Sequence, residues 1–412
     1  MPDLSIRERC SVNRNCDEDT FVGLKCENGD FSVHFPLGFN ISLDDRELRK
    51  DIMLLIDTIA STTGKKGSSI YKPAKQYDYI MFPIQAYIAV IKDYYARGYY
   101  KERETQYIVS KRGKIDWNRT IKNQDPYVQK NNVFYIDFVT KKNQVKENEL
   151  ISLIHEYCVY ESFCKIGWLF TARVPQNPKI KFHKKRFRSI LLQKISKTFN
   201  DKNRKLFKDM LAIVDYSGDS NAEVDYKYGT DRFEYVWESL IDRVYGIVGK
   251  EQYFPKTSWI IDGKKYKNAC LEPDTIMLWN GNIYVLDAKY YKYGMTRRPS
   301  DLPESTSINK QITYGEYIAE QDKFKRIHGD NFQVFNAFLM PFAAESDEKI
   351  QCIGFAESDW KSNKKTYELI QGIMIDVKLL MTSMKVNSKS QIAELAEIIE
   401  KAFLSEEDYE ND

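Results

Sequence analysis

Residues 271–289 read LEPDTIMLWNGNIYVLDAK, and this stretch decides how the fold is interpreted. Asn280-Gly281 is a strong signal for a two-residue hairpin turn, because both positions of that turn need a positive φ. Residues typical of extended structure lie on both sides of the turn. The sequence therefore predicts an antiparallel hairpin with one strand over 271–279 and the other over 282–290.

The register of this hairpin places charged side chains together at the end far from the turn. Asp274 lies opposite Asp287, and Glu272 lies opposite Lys289, on a face that is apolar near the turn. Opposed Cβ atoms are about 4.5–5.5 Å apart, so two facing carboxylates repel each other unless something neutralises them. A hard divalent cation bound by both aspartates is the simplest answer, and Mg²⁺ suits so small a carboxylate set, with Mn²⁺ as a substitute. Lys289 would assist the attacking water and contact a substrate phosphate.

The elements around the hairpin predict an α/β (α+β) fold built on a mixed sheet. Apolar residues at helical spacing precede the hairpin, and helical and strand-like segments follow it. The predicted helices lie over 233–248, 307–324 and 391–404, and further strands lie over 332–342 and 350–355. The first portion of the chain reads as mixed α and β, with one strand expected over 133–139.

The segments Glu-Pro-Asp (272–274) and Asp-Ala-Lys (287–289) together resemble the motif of the PD-(D/E)xK nuclease superfamily. The resemblance implies a mixed-sheet nuclease domain that binds its metal ion through Asp274, Asp287 and the carbonyl oxygen of Ala288. It also implies hydrolysis of a phosphodiester bond to a 5′-phosphate and a 3′-hydroxyl. So short a pattern also arises by chance, and the agreement of turn, strands and charges is what favours a nuclease.

The helices on either side of the hairpin supply further candidates through the same resemblance. A glutamate on the preceding helix often joins the metal site, and Glu238 is the candidate, with Glu234 as the alternative one turn earlier. The following helix often carries a glutamine and a tyrosine. Gln311 is the candidate glutamine and is counted with the catalytic residues. Tyr314 is the candidate tyrosine at the DNA and Tyr317 its alternative, since neither stands at the usual fourth position after the glutamine.

Three segments narrow the resemblance: LEPDTI (271–276), VLDAKYY (285–291) and GKIDWNRTI (113–121). With them the C-terminal half resembles the nuclease subunits of McrBC-like restriction systems, and the whole chain is similar to LlaJI-family restriction endonucleases. Such systems imply double-stranded DNA as the substrate and a GTP-driven AAA+ motor of the McrB type as the partner. Residues 64–69 (GKKGSS) lack the G-x₄-G-K-[S/T] spacing of a P-loop, so a motor would have to come from another chain.

The segment 179–208 carries a strong local positive charge. Over all 412 residues, 62 Lys and Arg nearly balance 59 Asp and Glu, which excludes a uniformly basic nucleic-acid binder. This segment has twelve basic residues and one acid, with apolar residues at roughly helical spacing. We expect one or two amphipathic helices whose cationic face contacts phosphates, or alternatively a solvated helix face. The candidate DNA contacts here are Lys184, Lys185, Arg186 and Arg188.

The chain length predicts two or three domains. We expect an N-terminal α+β domain for partner docking over 1–175, a basic helical connector over 176–228 and the nuclease domain over 229–412. Seven cysteines, an odd number, and the lack of a secretory segment or long apolar run indicate a cytoplasmic chain with free thiols and no membrane partner. A weaker candidate for zinc, with looser spacing than usual sites, is formed by Cys10, Cys16, Cys26 and His34.

The sequence also leaves two other functions open. The first is a non-catalytic nucleic-acid-binding or assembly subunit with a nuclease-like fold, whose affinity would come from the basic segment. The second is a nuclease that acts on RNA or on single strands. The presence of both aspartates and the lysine favours an active enzyme over the first alternative, and binding of a divalent cation would separate the two.

Overall fold

The computed structural model describes residues 5–14, 20–63, 78–79, 82–130, 132–146, 149–171, 173–217, 225–384 and 389–409. The chain divides into two compact units. Unit 1 consists of Met1–Met81 together with Asp225–Asp412, and unit 2 is Phe82–Val224. Unit 1 is therefore discontinuous in sequence, and unit 2 is inserted into it.

Strands and α-helices are both numerous in the described residues, which confirms the predicted mixed α/β fold. The strands are β1 (Cys10–Val12), β2 (Val22–Glu27), β3 (Asp30–Phe35), β4 (Asp78–Tyr79), β5 (Glu102–Val109), β6 (Lys114–Ile115), β7 (Tyr127–Gln129), β8 (Asn132–Phe134), β9 (Val139–Lys146), β10 (Tyr226–Thr230), β11 (Ser258–Ile261), β12 (Lys264–Lys267), β13 (Thr275–Trp279), β14 (Asn282–Ala288), β15 (Val334–Phe342), β16 (Ile350–Ala356) and β17 (Ile370–Asp376). The helices are α1 (Asp45–Thr63), α2 (Ile84–Arg97), α3 (Trp117–Asn123), α4 (Leu150–Ile166), α5 (Lys184–Lys197), α6 (Asp201–Tyr216), α7 (Phe233–Tyr245), α8 (Tyr293–Thr296), α9 (Ser305–Glu320), α10 (Asp322–His328), α11 (Val377–Ser383) and α12 (Lys389–Tyr409). Among the helices described, none has both the length and the apolar character needed to cross a membrane.

Unit 1 contains a five-stranded mixed sheet in the order β13-β14-β15-β17-β16. The strands β14, β15 and β17 are parallel, while β13 and β16 pair antiparallel at the two edges. The pairing runs from Trp279 opposite Asn282 to Thr275 opposite Leu286, so the predicted hairpin register is confirmed over β13. Asn280 and Gly281 have φ values of 46° and 84°, as the two-residue turn requires.

Helices cover both faces of this sheet. On one face, Tyr314 and Ile318 of α9 pack with Ile276 and Val285 in a buried apolar cluster. On the other face, α7 contacts β13 and β14, and Trp237 of this helix donates through Nε1 to a carbonyl oxygen of β15. The end of the hairpin that carries the charged residues therefore lies between α7 and α9.

A second sheet of unit 1 has the order β1-β3-β2-β10-β4. Its strand β10 pairs antiparallel with β2 on one side and with β4 on the other. Because β4 precedes unit 2 and β10 follows it, the chain leaves unit 1 and returns to it at neighbouring strands.

Unit 2 combines four longer helices with small sheets. Its strands form the sheet β5-β9-β6 and the hairpin β7-β8, and α2 packs against α4 and α6. The expectation of amphipathic helices in the basic segment is confirmed, since α5 buries Phe187 and Leu191 while Lys185 and Arg186 are exposed. The compact units follow a different division from the three predicted domains, whose boundaries stay a prediction about function.

Two predicted elements differ from the structure. The strand expected over 133–139 is two strands, β8 and β9, separated by the segment 135–138. The single helix expected over 307–324 is two helices, because α9 ends at Glu320 and α10 begins at Asp322. Between them, Gln321 has an extended backbone with ψ 121°, which interrupts the helical hydrogen bonds.

Candidate active site

The charged end of the hairpin places Asp274 beside Asp287, as the register predicted. Asp287 is the last but one residue of β14 and is 5% exposed, and Asp274 directly precedes β13. The two residues lie one position beyond the last paired residues of β13 and β14, Thr275 and Leu286. The backbone N–H of Ala288 donates to Oδ2 of Asp274 at 2.9 Å, which fixes this carboxyl group at the end of the sheet.

Lys289 completes the predicted trio. Its Nζ lies 2.5 Å from Oδ2 of Asp287, and it also lies 5.5 Å from the ring centroid of Phe338. The ammonium group is therefore next to the carboxyl pair, where it compensates part of its negative charge. A lysine in this position can orient a water molecule or contact a phosphate at the same place.

The environment raises the pKa of Asp274 well above its usual range. Burial is the largest cause, followed by the negative charges of Asp287 and Glu238, while the N–H of Ala288 acts in the opposite direction. Ionisation of Asp274 in this buried place, next to other negative groups, is therefore costly. A positive charge bound beside these groups would lower this cost.

The surroundings of Glu238 and Glu234 favour Glu238 as the third carboxylate of the site. Burial raises the pKa of Glu238, and the negative charge of Asp287 raises it further, whereas the positive charge of Lys250 lowers it. Glu238 therefore interacts electrostatically with the aspartate pair. Glu234 is instead 42% exposed and forms an ion pair with Arg232 at 2.5 Å.

The described residues contain no group of three or more His, Cys, Asp or Glu side chains arranged to hold a metal ion. The three predicted carboxylates Asp274, Asp287 and Glu238 therefore do not form such a group as they stand in this structure. The donor set nevertheless fits Mg²⁺, because this ion commonly uses one or two protein carboxylates and completes its shell with water and substrate phosphate. The observation that supports this fit is that the two aspartates lie side by side at the end of the hairpin, where Asp287 is buried.

An ion pair between a buried lysine and a partly exposed aspartate, next to Asp274, is a feature that the sequence did not reveal. Lys250 is 4% exposed, and its Nζ lies 2.5 Å from Oδ1 of Asp242 on α7. The same ammonium donates to the backbone oxygen of Asp274. The hydroxyl of Thr275 donates to Oδ1 of Asp242 at 3.3 Å. Since Lys250 begins a 3₁₀ helix of only four residues (Lys250–Tyr253), no periodic pattern points to it.

Gln311 and Tyr314 both lie behind the site on α9 and are buried. The side-chain amide of Gln311 donates to the backbone oxygen of Val285 at 2.7 Å, two residues before Asp287. The hydroxyl of Tyr314 donates to the backbone oxygen of Glu272 at 3.1 Å. Tyr314 thus supports the strand segment before β13 in this structure, and its expected contact with DNA stays a prediction.

The basic residues predicted to contact DNA lie on α5 in unit 2. Lys185, Arg186 and Arg188 are exposed, and Lys184 at the start of the helix is partly buried. Nε of Arg188 lies 3.0 Å from Oδ1 of Asp215, so part of its charge is balanced within the unit. The remaining cationic surface has the composition of a phosphate-binding face.

The zinc candidate of Cys10, Cys16, Cys26 and His34 is weakened at its histidine. Both ring nitrogens of His34 are hydrogen-bonded to serine hydroxyls, those of Ser11 and Ser32, each at 3.1 Å, so this histidine is not available to zinc. Cys16, the second cysteine of that set, lies outside the described residues, as do residues 64–69 with the incomplete P-loop spacing.

Comparison with known proteins gives three similarities. The family model of the LlaJI restriction endonuclease matches residues 21–378. The chain is 28% identical over 283 residues to the Type II restriction enzyme BsuMI component YdjA of Bacillus subtilis (strain 168), a match that covers 64% of this chain and 58% of the relative. The chain thus spans little more than half of that curated relative. It is also similar, at 16% identity and a TM-score of 0.34, to a chain in a half-complex of Thermococcus gammatolerans McrB AAA+ hexamers with bound McrC, over 89% of this chain and 82% of the other.

Proposed function

The chain belongs to the LlaJI restriction endonuclease family, and from this we propose that it is a restriction-system subunit that hydrolyses phosphodiester bonds in double-stranded DNA. The observation that carries the proposal is the position of Asp274 beside Asp287 at the end of the β13–β14 pairing, with the Lys289 ammonium 2.5 Å from Asp287. An acid pair and a lysine at the end of a buried hairpin are the arrangement that the PD-(D/E)xK resemblance implies. Family and geometry therefore support the same chemistry.

Each site residue has a separate proposed role in hydrolysis. Asp274 and Asp287 would hold Mg²⁺, with the carbonyl oxygen of Ala288 as a further ligand and Glu238 acting from a greater distance. When bound, the cation would neutralise charge on the scissile phosphate and favour ionisation of the attacking water. Lys289 would orient this water and contact the phosphate, while its ion pair with Asp287 keeps the ammonium in place.

We propose a GTP-driven AAA+ motor of the McrB type as the partner. Family membership and the lack of P-loop spacing in residues 64–69 support this proposal. The exposed cationic face of α5, with Lys185 and Arg186, is proposed to contact the DNA backbone. The position of the chain on DNA would then depend on α5, and the energy of GTP hydrolysis would come from the partner. Neither would depend on the catalytic aspartates.

The Asp287→Ala variant tests the assignment directly. The purified chain, its partner, GTP, Mg²⁺ and double-stranded DNA should give cleavage, and this variant should give none because half of the cation-binding pair is lost. The matched control is Asp322→Ala on α10, which removes an aspartate whose side chain is 80% exposed. Equal cleavage by wild type and Asp287→Ala would refute the nuclease site, and cleavage of RNA or single strands alone would change the substrate.

A second candidate function is a non-catalytic assembly subunit with a nuclease-like fold. The observation in its favour is that no group of three metal-ligating side chains is assembled within the described residues. Calorimetric titration of the protein with Mn²⁺ distinguishes the two functions. Binding that depends on Asp274 and Asp287 supports the enzyme, and no binding supports the assembly subunit.

A further inference from the structure

We propose that the ion pair between the buried Lys250 and Asp242 positions Asp274 for the divalent cation and so sets the cation affinity of the site. This inference rests on the proposed function and adds two residues to it. Lys250 and Asp242 touch neither the cation nor the DNA in this proposal, and they act through the backbone at Asp274. They are therefore positioning residues.

The strand ladder alone does not hold Asp274. The paired residues of β13 and β14 begin with Thr275 opposite Leu286, so Asp274 lies just before the regular pairing. Its backbone oxygen accepts from Nζ of Lys250, and its carboxyl group accepts from the N–H of Ala288. The lysine thus supplies a backbone contact for Asp274 at the point where the regular ladder begins.

A second buried side chain holds the other side of this segment. The hydroxyl of Tyr314 donates to the oxygen of Glu272 at 3.1 Å. The carbonyl groups before and after Pro273 are therefore each fixed by a side chain from a different element, α9 and the segment after α7. Two independent contacts on the backbone leave Asp274 little freedom to turn away from Asp287.

The ion pair itself is held closely by its neighbours. Oδ1 of Asp242 receives Nζ of Lys250 at 2.5 Å and the hydroxyl of Thr275 at 3.3 Å. The backbone at Gly246 approaches so near that a Cβ atom there would lie 2.6 Å from the same oxygen. No side chain fits at this position, which explains a glycine directly after α7.

The burial of Lys250 favours a positioning role over a role in stability. Its ammonium group is removed from water, whereas the Asp242 side chain is 28% exposed, and a well-packed apolar residue in place of a buried charge is often as stable or more stable. An ion pair held by a buried lysine is useful where it fixes one geometry. Here the geometry that it fixes is that of the backbone next to a proposed metal ligand.

The experiment compares Lys250→Met with Lys361→Met. Lys361 provides the matched control, since its Nζ also forms an ion pair in unit 1, 2.7 Å from Glu316, with the lysine side chain 11% exposed. Mn²⁺ affinity is measured by calorimetry on the full chain, and folding by circular dichroism and thermal unfolding. Removing a group that orients a metal ligand typically weakens metal binding by about 10-fold to 100-fold, and we expect this for Lys250→Met and no change for Lys361→Met.

The dependence of cleavage on Mg²⁺ separates positioning from general damage. Lys250→Met should need a higher Mg²⁺ concentration for half-maximal cleavage and should regain most of the wild-type rate at saturation. Because the pair acts as a unit, the double variant with Asp242→Asn should lose no more affinity than Lys250→Met alone. A lower rate at saturating Mg²⁺ with unchanged Mn²⁺ affinity would overturn the inference.

Two milder substitutions test the inference if Lys250→Met does not fold. Thr275→Val removes only the hydroxyl that donates to Asp242, and Asp242→Asn keeps the size of that side chain. Folded proteins with wild-type Mn²⁺ affinity in both would overturn the inference. If instead Asp274→Ala binds Mn²⁺ as the wild type does, the proposed function itself fails, so the two failures are distinguishable.

Discussion

Single residues decide the chemistry proposed for this chain. Asp287 lies beside Asp274 and forms an ion pair with Lys289, so three ionisable groups influence one another at the end of the hairpin. The pKa of Asp274 is raised because burial and two negative neighbours all oppose its ionisation. A bound cation would therefore offset the negative charge around Asp274.

His155 in unit 2 provides a test at the scale of one residue. Its ring is buried on α4, and Nδ1 accepts from the N–H of Tyr100 at 3.0 Å. Burial lowers the pKa of His155 from 6.5 to about 4. Between these two values the unfolded state binds the additional proton, so stability should fall as the pH decreases through this range.

The variant His155→Asn should remove this pH dependence, because asparagine can accept the same hydrogen bond and does not titrate. Urea unfolding near pH 7.5 and pH 5 measures the effect, and the wild type should lose about 2 kcal/mol more than the variant at the lower pH. The same loss of stability in both proteins would show that His155 is not responsible.

The site residues on the hairpin could be predicted from the sequence, whereas the contacts made by residues packed against the hairpin could not. Asp274, Asp287 and Lys289 follow from the Asn280-Gly281 turn, because a two-residue loop fixes the register. Lys250 could not be found in this way, since its contacts depend on tertiary packing and join positions 242, 250 and 274. Tyr314 could be located on its helix, but its burial depends on how that helix packs.

At the scale of elements, strong local signals gave the correct structure and weak ones did not. The hairpin β11–β12 was missed, although Asp262 and Gly263 have positive φ values of 48° and 72° and form a similar turn signal. Its strands are exposed on every residue and show no alternation of polar and apolar residues. Strand β17 was also missed, because a largely buried strand in a parallel pair lacks alternation and this one contains Gly372.

The cationic helix α5 gives a prediction for one element. The double variant Lys185→Gln with Arg186→Gln should weaken binding to double-stranded DNA and lower the dependence of log K on log salt by about 0.9 for each phosphate that the helix no longer neutralises. Fluorescence anisotropy at several salt concentrations measures this slope. Exposed lysines on α12, Lys389 and Lys401, are the control positions. An unchanged slope would favour the solvated helix face.

At the scale of the whole molecule, the sequence of unit 2 is inserted into that of unit 1. Residues 1–81 and 225–412 form one compact unit, whereas the sequence suggested domains in simple succession. The pairing of β10 with β2 and β4 creates this arrangement. Composition and local patterns carry no information about such distant pairing.

The insertion predicts that unit 1 folds without unit 2. Replacing residues 82–224 by a short Gly-Ser linker should leave a protein that unfolds cooperatively, because β4 and β10 are paired neighbours. This shortened protein should keep the Mn²⁺ affinity of the full chain and lose the DNA affinity that α5 supplies. Calorimetry and thermal unfolding are the measurements, and an unfolded product would show that unit 1 depends on the insertion.

The pairing of β2 with β10 also has a consequence for the time course of synthesis. Cys26 lies opposite Tyr226, 200 residues later in the chain. At about 5–20 residues per second, a ribosome needs roughly 10–40 seconds to make the intervening segment. During this interval β2 has one free edge in the nascent chain, open to other strands and to chaperones. The cell therefore has to protect an incomplete sheet well before the residues that are proposed to cut DNA have been translated.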